Sequence, residues 1–114
     1  MNFDLYQEEA KKTAVYPSEK GIEYCCLGLA SEAGEVCQIV KKELRQGRDV
    51  GTRVQLNLLA TSSDFAKKMS DELGDVLWYI SSLATELGLD LYTIAEGNIA
   101  KLQLRQETGT LKTR

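Results

Sequence analysis

Residues 27–36 read LGLASEAGEV, and how that stretch folds decides the architecture. Apolar residues recur at three- and four-residue steps through it, at Ile22, Cys25, Leu29, Ala33, Val36 and Val40, which predicts one long helix from about Glu19 to about Gln46. On that helix Glu32 falls roughly 65° from the centre of the apolar stripe, and Glu35 lies further round on the same flank. Residues 71–80, DELGDVLWYI, repeat the arrangement. There Glu72 falls roughly 55° from the stripe formed by Phe65, Met69, Leu73, Val76, Ile80, Leu83 and Leu87, with Asp75 beyond it.

Two shorter helices complete the reading. Leu5, Tyr6, Ala10 and Ala14 predict a first helix stopped by Tyr16-Pro17, because a residue before proline is driven out of helical geometry. The glycines of RQGRDVGT end the second helix, and Ser62 or Ser63 can cap the third, which Gly88 closes. Asp90 is placed to cap a fourth helix carrying Leu91, Ile94, Ala95 and Leu102, with the polar tail from Arg105 expected to fray. Residues 53–60, RVQLNLLA, are too short for periodicity to assign. Four helices with short connections predict an all-α, single-domain bundle over residues 1–114.

With 43% hydrophobic and 27% charged residues and a net charge of −3, the chain has the composition of an ordinary folded domain. Its weak acidity argues against binding a nucleic acid polymer through a broad basic face. No stretch approaches the ~20 apolar residues of a membrane span, so a cytoplasmic location is expected. Three cysteines, two of them adjacent, suit reduced thiols packed as small side chains. The absence of histidine removes Ser-His-Asp and Cys-His nucleophilic schemes and the common zinc sites.

What remains is carboxylate and lysine chemistry. A single Glu on a helix shoulder is usually a solvated acid bordering the core. Two acidic pairs with one spacing on two long helices are different, because antiparallel packing would converge four carboxylates whose repulsion is costly without a cation. A hard divalent ion such as Mg²⁺, with Mn²⁺ as a substitute, suits an all-oxygen set shared with substrate phosphates. Gly28, Gly34 and Gly74 each cost up to ~1 kcal/mol of helix propensity, a cost that close helix approach or ligand access would explain.

LGLASEAGEV followed by DELGDVLWYI resembles the MazG-like nucleoside triphosphate pyrophosphohydrolases, an all-α superfamily marked by a Glu-x-x-Glu pair and a later Glu-x-x-Asp pair. The likeness extends to YQEEAKKTAVYP at the start and NIAKLQLRQETG in the last helix. It implies a four-helix bundle completed by oligomerisation into a homodimer or homotetramer. The implied reaction is Mg²⁺-dependent hydrolysis of a (deoxy)nucleoside triphosphate to the monophosphate and pyrophosphate. Glu32, Glu35, Glu72 and Asp75 would be the metal ligands and catalytic acids, one of them also orienting or deprotonating the attacking water.

The resemblance further implies substrate contacts from the last helix, where Asn98, Lys101 and Arg105 share one face. Lys101 and Arg105 would hold phosphates and Asn98 the sugar or base. Lys42 is a further phosphate candidate. Trp78 and Tyr79 are candidates to stack on the base, against the more common role of such residues as core or interface. Two departures bear on substrate choice: residues 50–70 hold an apparent insertion, and the chain stops where relatives continue with a Gly- and Asp-rich tail. Two rival readings remain, a phosphoribosyl-ATP pyrophosphohydrolase and a non-catalytic nucleotide-binding or dimerisation module.

Overall fold

The computed structural model describes residues 1–48, 50–51, 57 and 63–112. Among the described residues it has four α-helices of two turns or more and no strand. Helix α1 spans Phe3–Lys11, opened by Asn2, whose Oδ1 accepts the Leu5 N–H at 2.9 Å. It ends before Tyr16-Pro17, so Ala14 falls outside it. A 3₁₀ turn at Ser18–Lys20 leads into α2, Gly21–Arg45, which gives way at Gly47 in the left-handed region (φ 80°).

Helix α3 spans Ser63–Glu86. It closes as expected at Gly88 (φ 69°), with the Leu89 N–H donating to the Ala84 carbonyl at 2.8 Å. Helix α4 spans Leu91–Glu107. The tail therefore stays helical two residues past Arg105, and the Thr110 N–H, 2.8 Å from the Arg105 carbonyl, satisfies the end that was expected to fray. Apart from Asn57, the ambiguous RVQLNLLA lies outside the described residues, as do residues 52 and 61–62 of the apparent insertion, whose residues 63–70 belong to α3.

Helices α2 and α3 pack antiparallel, with Gly21 against Glu86, Gly28 against Tyr79 and Glu32 against Glu72 and Asp75. Helix α1 lies across α3, and α4 packs on α1 and α3; among the described residues α4 does not touch α2. The joint is the buried Gln7 side chain. Its Nε2 donates to Thr85 Oγ1 and to the Leu89 carbonyl, both at 3.0 Å, and its Oε1 accepts the Leu91 N–H at 2.8 Å. Asp90 does stand at the N-cap of α4, but its carboxylate receives the Thr93 hydroxyl at 3.0 Å, and Gln7 takes the helix's first N–H.

An aromatic cluster ties the segment after α1 onto the α2–α3 pair. Tyr16 stacks on Tyr24 with centroids 5.2 Å apart, and Trp78 meets Tyr16 and Tyr79 edge-on at 6.3 and 5.0 Å. The Tyr16 hydroxyl donates to Glu86 Oε1 at 2.5 Å.

The core departs from the expected stripes. Among the described residues the buried apolar side chains are Ala10, Cys25, Ala84 and Leu91, joined by Gln7, Ser81 and Ser82. Helix α3 thus buries small residues, while Leu73, Ile80 and Leu87 of its expected stripe stay exposed. Small side chains let neighbouring helices approach closely and turn the bulky row elsewhere. Cys25 is buried as expected, but Cys26 and Cys37 are exposed; all three are free thiols. No helix among the described residues is long and apolar enough to cross a membrane.

Candidate active site

The antiparallel register of α2 and α3 brings the two acidic pairs together. One carboxylate oxygen from each of Glu32, Glu72 and Asp75 lies within 4.8 Å of the others. Glu32 and Glu72 are half-buried and Asp75 is exposed. Burial, first, and then a hydrogen bond with Glu72 and the charges of Asp75, Glu72 and Glu35 hold the Glu32 carboxyl above its ordinary pKa. Carboxyls crowded in this way are a place where a divalent cation gains charge compensation, and an all-oxygen donor set suits Mg²⁺ or Mn²⁺.

Glu35 stands outside that trio. It lines an adjoining cavity of 250 Å³ with Gln38, Ile39, Lys42, Glu43, Lys68 and Glu72. Glu72 belongs to both, so the cavity opens directly onto the acids. Lys42, a candidate from the sequence, lines this cavity, and so does Lys68, which the sequence reading does not single out. The signal was available: Lys68 lies four residues before Glu72, hence on the same helix face. Its ammonium pairs with Asp64 at 3.1 Å, both groups being largely exposed. The Tyr6 phenol is held protonated by burial and then by the Asp75 carboxylate.

Tyr79 borders the acids, its ring lying over Gly28 one turn before Glu32. Burial, a hydrogen bond with Tyr24 and nearby charges including Glu32 raise its phenol pKa. Trp78 spends its indole N–H on Thr13 Oγ1 at 2.8 Å and packs within the aromatic cluster. Asn98, Lys101 and Arg105 lie on α4, whose backbone packs on α1 and α3 and not, among the described residues, on α2, and none of them lines the cavity. Within one protomer they are not brought to the acids of α2. Of the glycines, Gly28 shows the expected close approach; Gly34 and Gly74 face open space.

A family model of the MazG nucleotide pyrophosphohydrolase domain matches residues 21–110, which include α2, α3, α4 and all four acids. The chain belongs to the MazG family. The Gene 37 protein of Mycobacterium phage L5 is 37% identical over 118 aligned residues, covering 98% of this chain and 95% of that one. No solved structure matches the chain. MazG membership supports nucleotide pyrophosphatase activity for the domain, and MazG pyrophosphatases generally depend on a divalent metal.

Proposed function

We propose that this single-domain MazG chain hydrolyses (deoxy)nucleoside triphosphates to the monophosphate and pyrophosphate with Mg²⁺. The observation that carries the reading is the convergence of Glu32, Glu72 and Asp75 beside a cavity that also holds Glu35, Lys42 and Lys68. Carboxylates alone repel a polyphosphate, so a cation between them is what makes the cavity hospitable to one. When bound, the metal supplies charge neutralisation of the polyphosphate and a lowered pKa for a coordinated water.

The chain's own side chains do the rest. Glu32, Glu72 and Asp75 hold the cation, with Glu35 as the fourth ligand or the group that orients the attacking water. Lys42 and Lys68 place positive charge on the rim, where it steers the phosphates and compensates charge developing on the leaving pyrophosphate. The Tyr79 face beside Gly28 is the surface available to a base. Asn98, Lys101 and Arg105 join the site through assembly into a homodimer or homotetramer in the cytoplasm. The role that follows is control or sanitation of the nucleotide pool.

The deciding experiment is pyrophosphate release with Mg²⁺ across the eight common ribo- and deoxyribonucleoside triphosphates, for wild type, Glu35→Gln and Glu72→Gln. Release of both products by wild type and its loss in both variants supports the reading. Wild-type release no faster than that of the variants overturns it for these substrates.

A further inference from the structure

Beyond the acid trio, the cavity carries its charges in a definite order. Glu35 and Glu72 stand at the end nearest the metal-binding acids, and Lys68 follows one turn away, about 6 Å along α3. Lys42 comes two turns after Glu35 on α2, and Glu43 stands next to it. A helical side chain leans toward the N-terminus of its own helix, so Glu43 reaches back over the cavity rather than away from it. Acids, then lysines, then an acid again line one cavity of 250 Å³.

That last acid is held in place twice. The Gly47 N–H donates to the Leu44 carbonyl at 3.0 Å and the Arg48 N–H to the Glu43 carbonyl at 2.9 Å, the two bonds of a Schellman motif. The turn sets the Arg48 side chain against Glu43, whose Oε2 accepts from the guanidinium Nε, while Nη2 donates to Gln46 Oε1. The bond from Arg48, more than any nearby charge, holds the Glu43 carboxyl below its ordinary pKa and keeps it an anion. The Glu43 side chain is 15% exposed against 46% for Arg48, and Arg48 is not among the described residues lining the cavity. The carboxylate forms the wall, and the guanidinium stands behind it.

We infer that Glu43, braced by Arg48, bars the cavity to any phosphate chain longer than a pyrophosphate beyond the attacked phosphorus. The inference deepens the proposed function and rests on its reading of this cavity as the polyphosphate site. With the α-phosphate at the metal and the base toward Tyr79, the two phosphoryl groups that leave lie beside Lys68 and Lys42. A third would bring its negative charge onto the Glu43 carboxylate at the far end, the kind of like-charge contact by which a site rejects a wrong ligand. Nucleoside triphosphates are thereby accepted and nucleoside tetraphosphates refused, although the extra charge of the longer chain would favour it at the metal and the lysines.

The test measures binding of the leaving group itself. Inorganic pyrophosphate and inorganic tripolyphosphate are titrated by calorimetry, in saturating Mg²⁺, into wild type, Glu43→Gln and Arg48→Ala. Wild type is expected to bind pyrophosphate about ten-fold or more tightly than tripolyphosphate, the reverse of what attraction to the metal and lysines alone would give. Glu43→Gln should lose that preference, and Arg48→Ala, which leaves the carboxylate, should keep it. A wild type that binds tripolyphosphate as tightly as pyrophosphate, or binds neither, overturns the inference. So does a preference that survives Glu43→Gln, or one that both variants lose, since the pair would then serve only to brace the end of α2. No turnover is measured, so a failure to hydrolyse nucleoside triphosphates, which would overturn the proposed reaction, is a separate result from the loss of this preference.

Discussion

The Tyr79 ring of α3 occupies the volume that a β-carbon on Gly28 of α2 would need. This contact fixes the approach of the two helices one turn from Glu32, where the acids meet. Gly28→Ala is therefore expected to push α3 away. Overpacking outweighs the gain in helix propensity and leaves a net loss of about 2 kcal/mol in urea denaturation. Turnover should fall with it, because the acid trio spans both helices. Gly97→Ala in α4 faces open space and serves as the contrast, with an expected gain of about 0.5–1 kcal/mol. Equal effects at the two positions would refute the role given to the contact.

Metal should reverse the pH dependence that Glu32 imposes. Its folded-state pKa is raised by burial and by neighbouring acids, so between the unfolded and folded values the folded chain binds more protons than the unfolded one. Without metal, stability from this group is then lost as pH rises through that window, and the full cost is present above it. A divalent cation replaces the proton and removes the cost. Melting temperatures from pH 5 to 8 with and without Mg²⁺ should show metal stabilisation that grows with pH. Glu32→Gln should flatten the metal-free slope relative to wild type and abolish most of the Mg²⁺ effect. An unchanged Mg²⁺ shift in Glu32→Gln would remove Glu32 from the ligand set.

The long helices and the acidic pairs were legible in the sequence because a 3.6-residue period sustained over some 25 residues leaves little ambiguity in where a side chain points. The buried face of α3 was not. Ser81 and Ser82 look like polar interruptions of an apolar stripe, and only the arrival of α1 makes their small size the deciding property. Gln7 was illegible for a related reason: its partners Thr85, Leu89 and Leu91 lie 78 or more residues away. Lys68 is not legible as a site residue, because a lysine early in a helix resembles any solvated lysine and only the cavity it shares with Glu72 sets it apart. Cys26 and Cys37 depart from the expectation of burial because that expectation rests on what free cysteine usually does and not on their place around α2.

Lys68 should matter for turnover and not for folding. Its pair with Asp64 is exposed on both sides, and such pairs contribute about 0–1 kcal/mol. A charge-assisted hydrogen bond to phosphate contributes more, roughly 1.5–3 kcal/mol. Lys68→Ala is thus expected to lower kcat/KM by about 10- to 100-fold while leaving the melting temperature within about a degree or two. Asp64→Asn, which removes the competing partner, should leave both nearly unchanged. Unaltered kcat/KM in Lys68→Ala would place the lysine outside the substrate's reach.

Two buried polar side chains should respond in opposite senses to the same substitution. Gln7 makes three hydrogen bonds that join α1 to the α3–α4 turn, and its loss strands the Leu91 N–H and the Leu89 carbonyl. Gln7→Ala should cost roughly 3 kcal/mol in urea denaturation and speed amide exchange at Leu91. The fully buried Ser81 hydroxyl has no hydrogen-bond partner among the described residues. Ser81→Ala removes an unsatisfied polar group and adds helix propensity, so it should be neutral or stabilising by up to about 1 kcal/mol. A loss of stability in Ser81→Ala would mean that the hydroxyl is bonded in solution, most simply to a buried water, and measuring both variants in one denaturant series separates that case from a general intolerance of the α1–α3 packing to change.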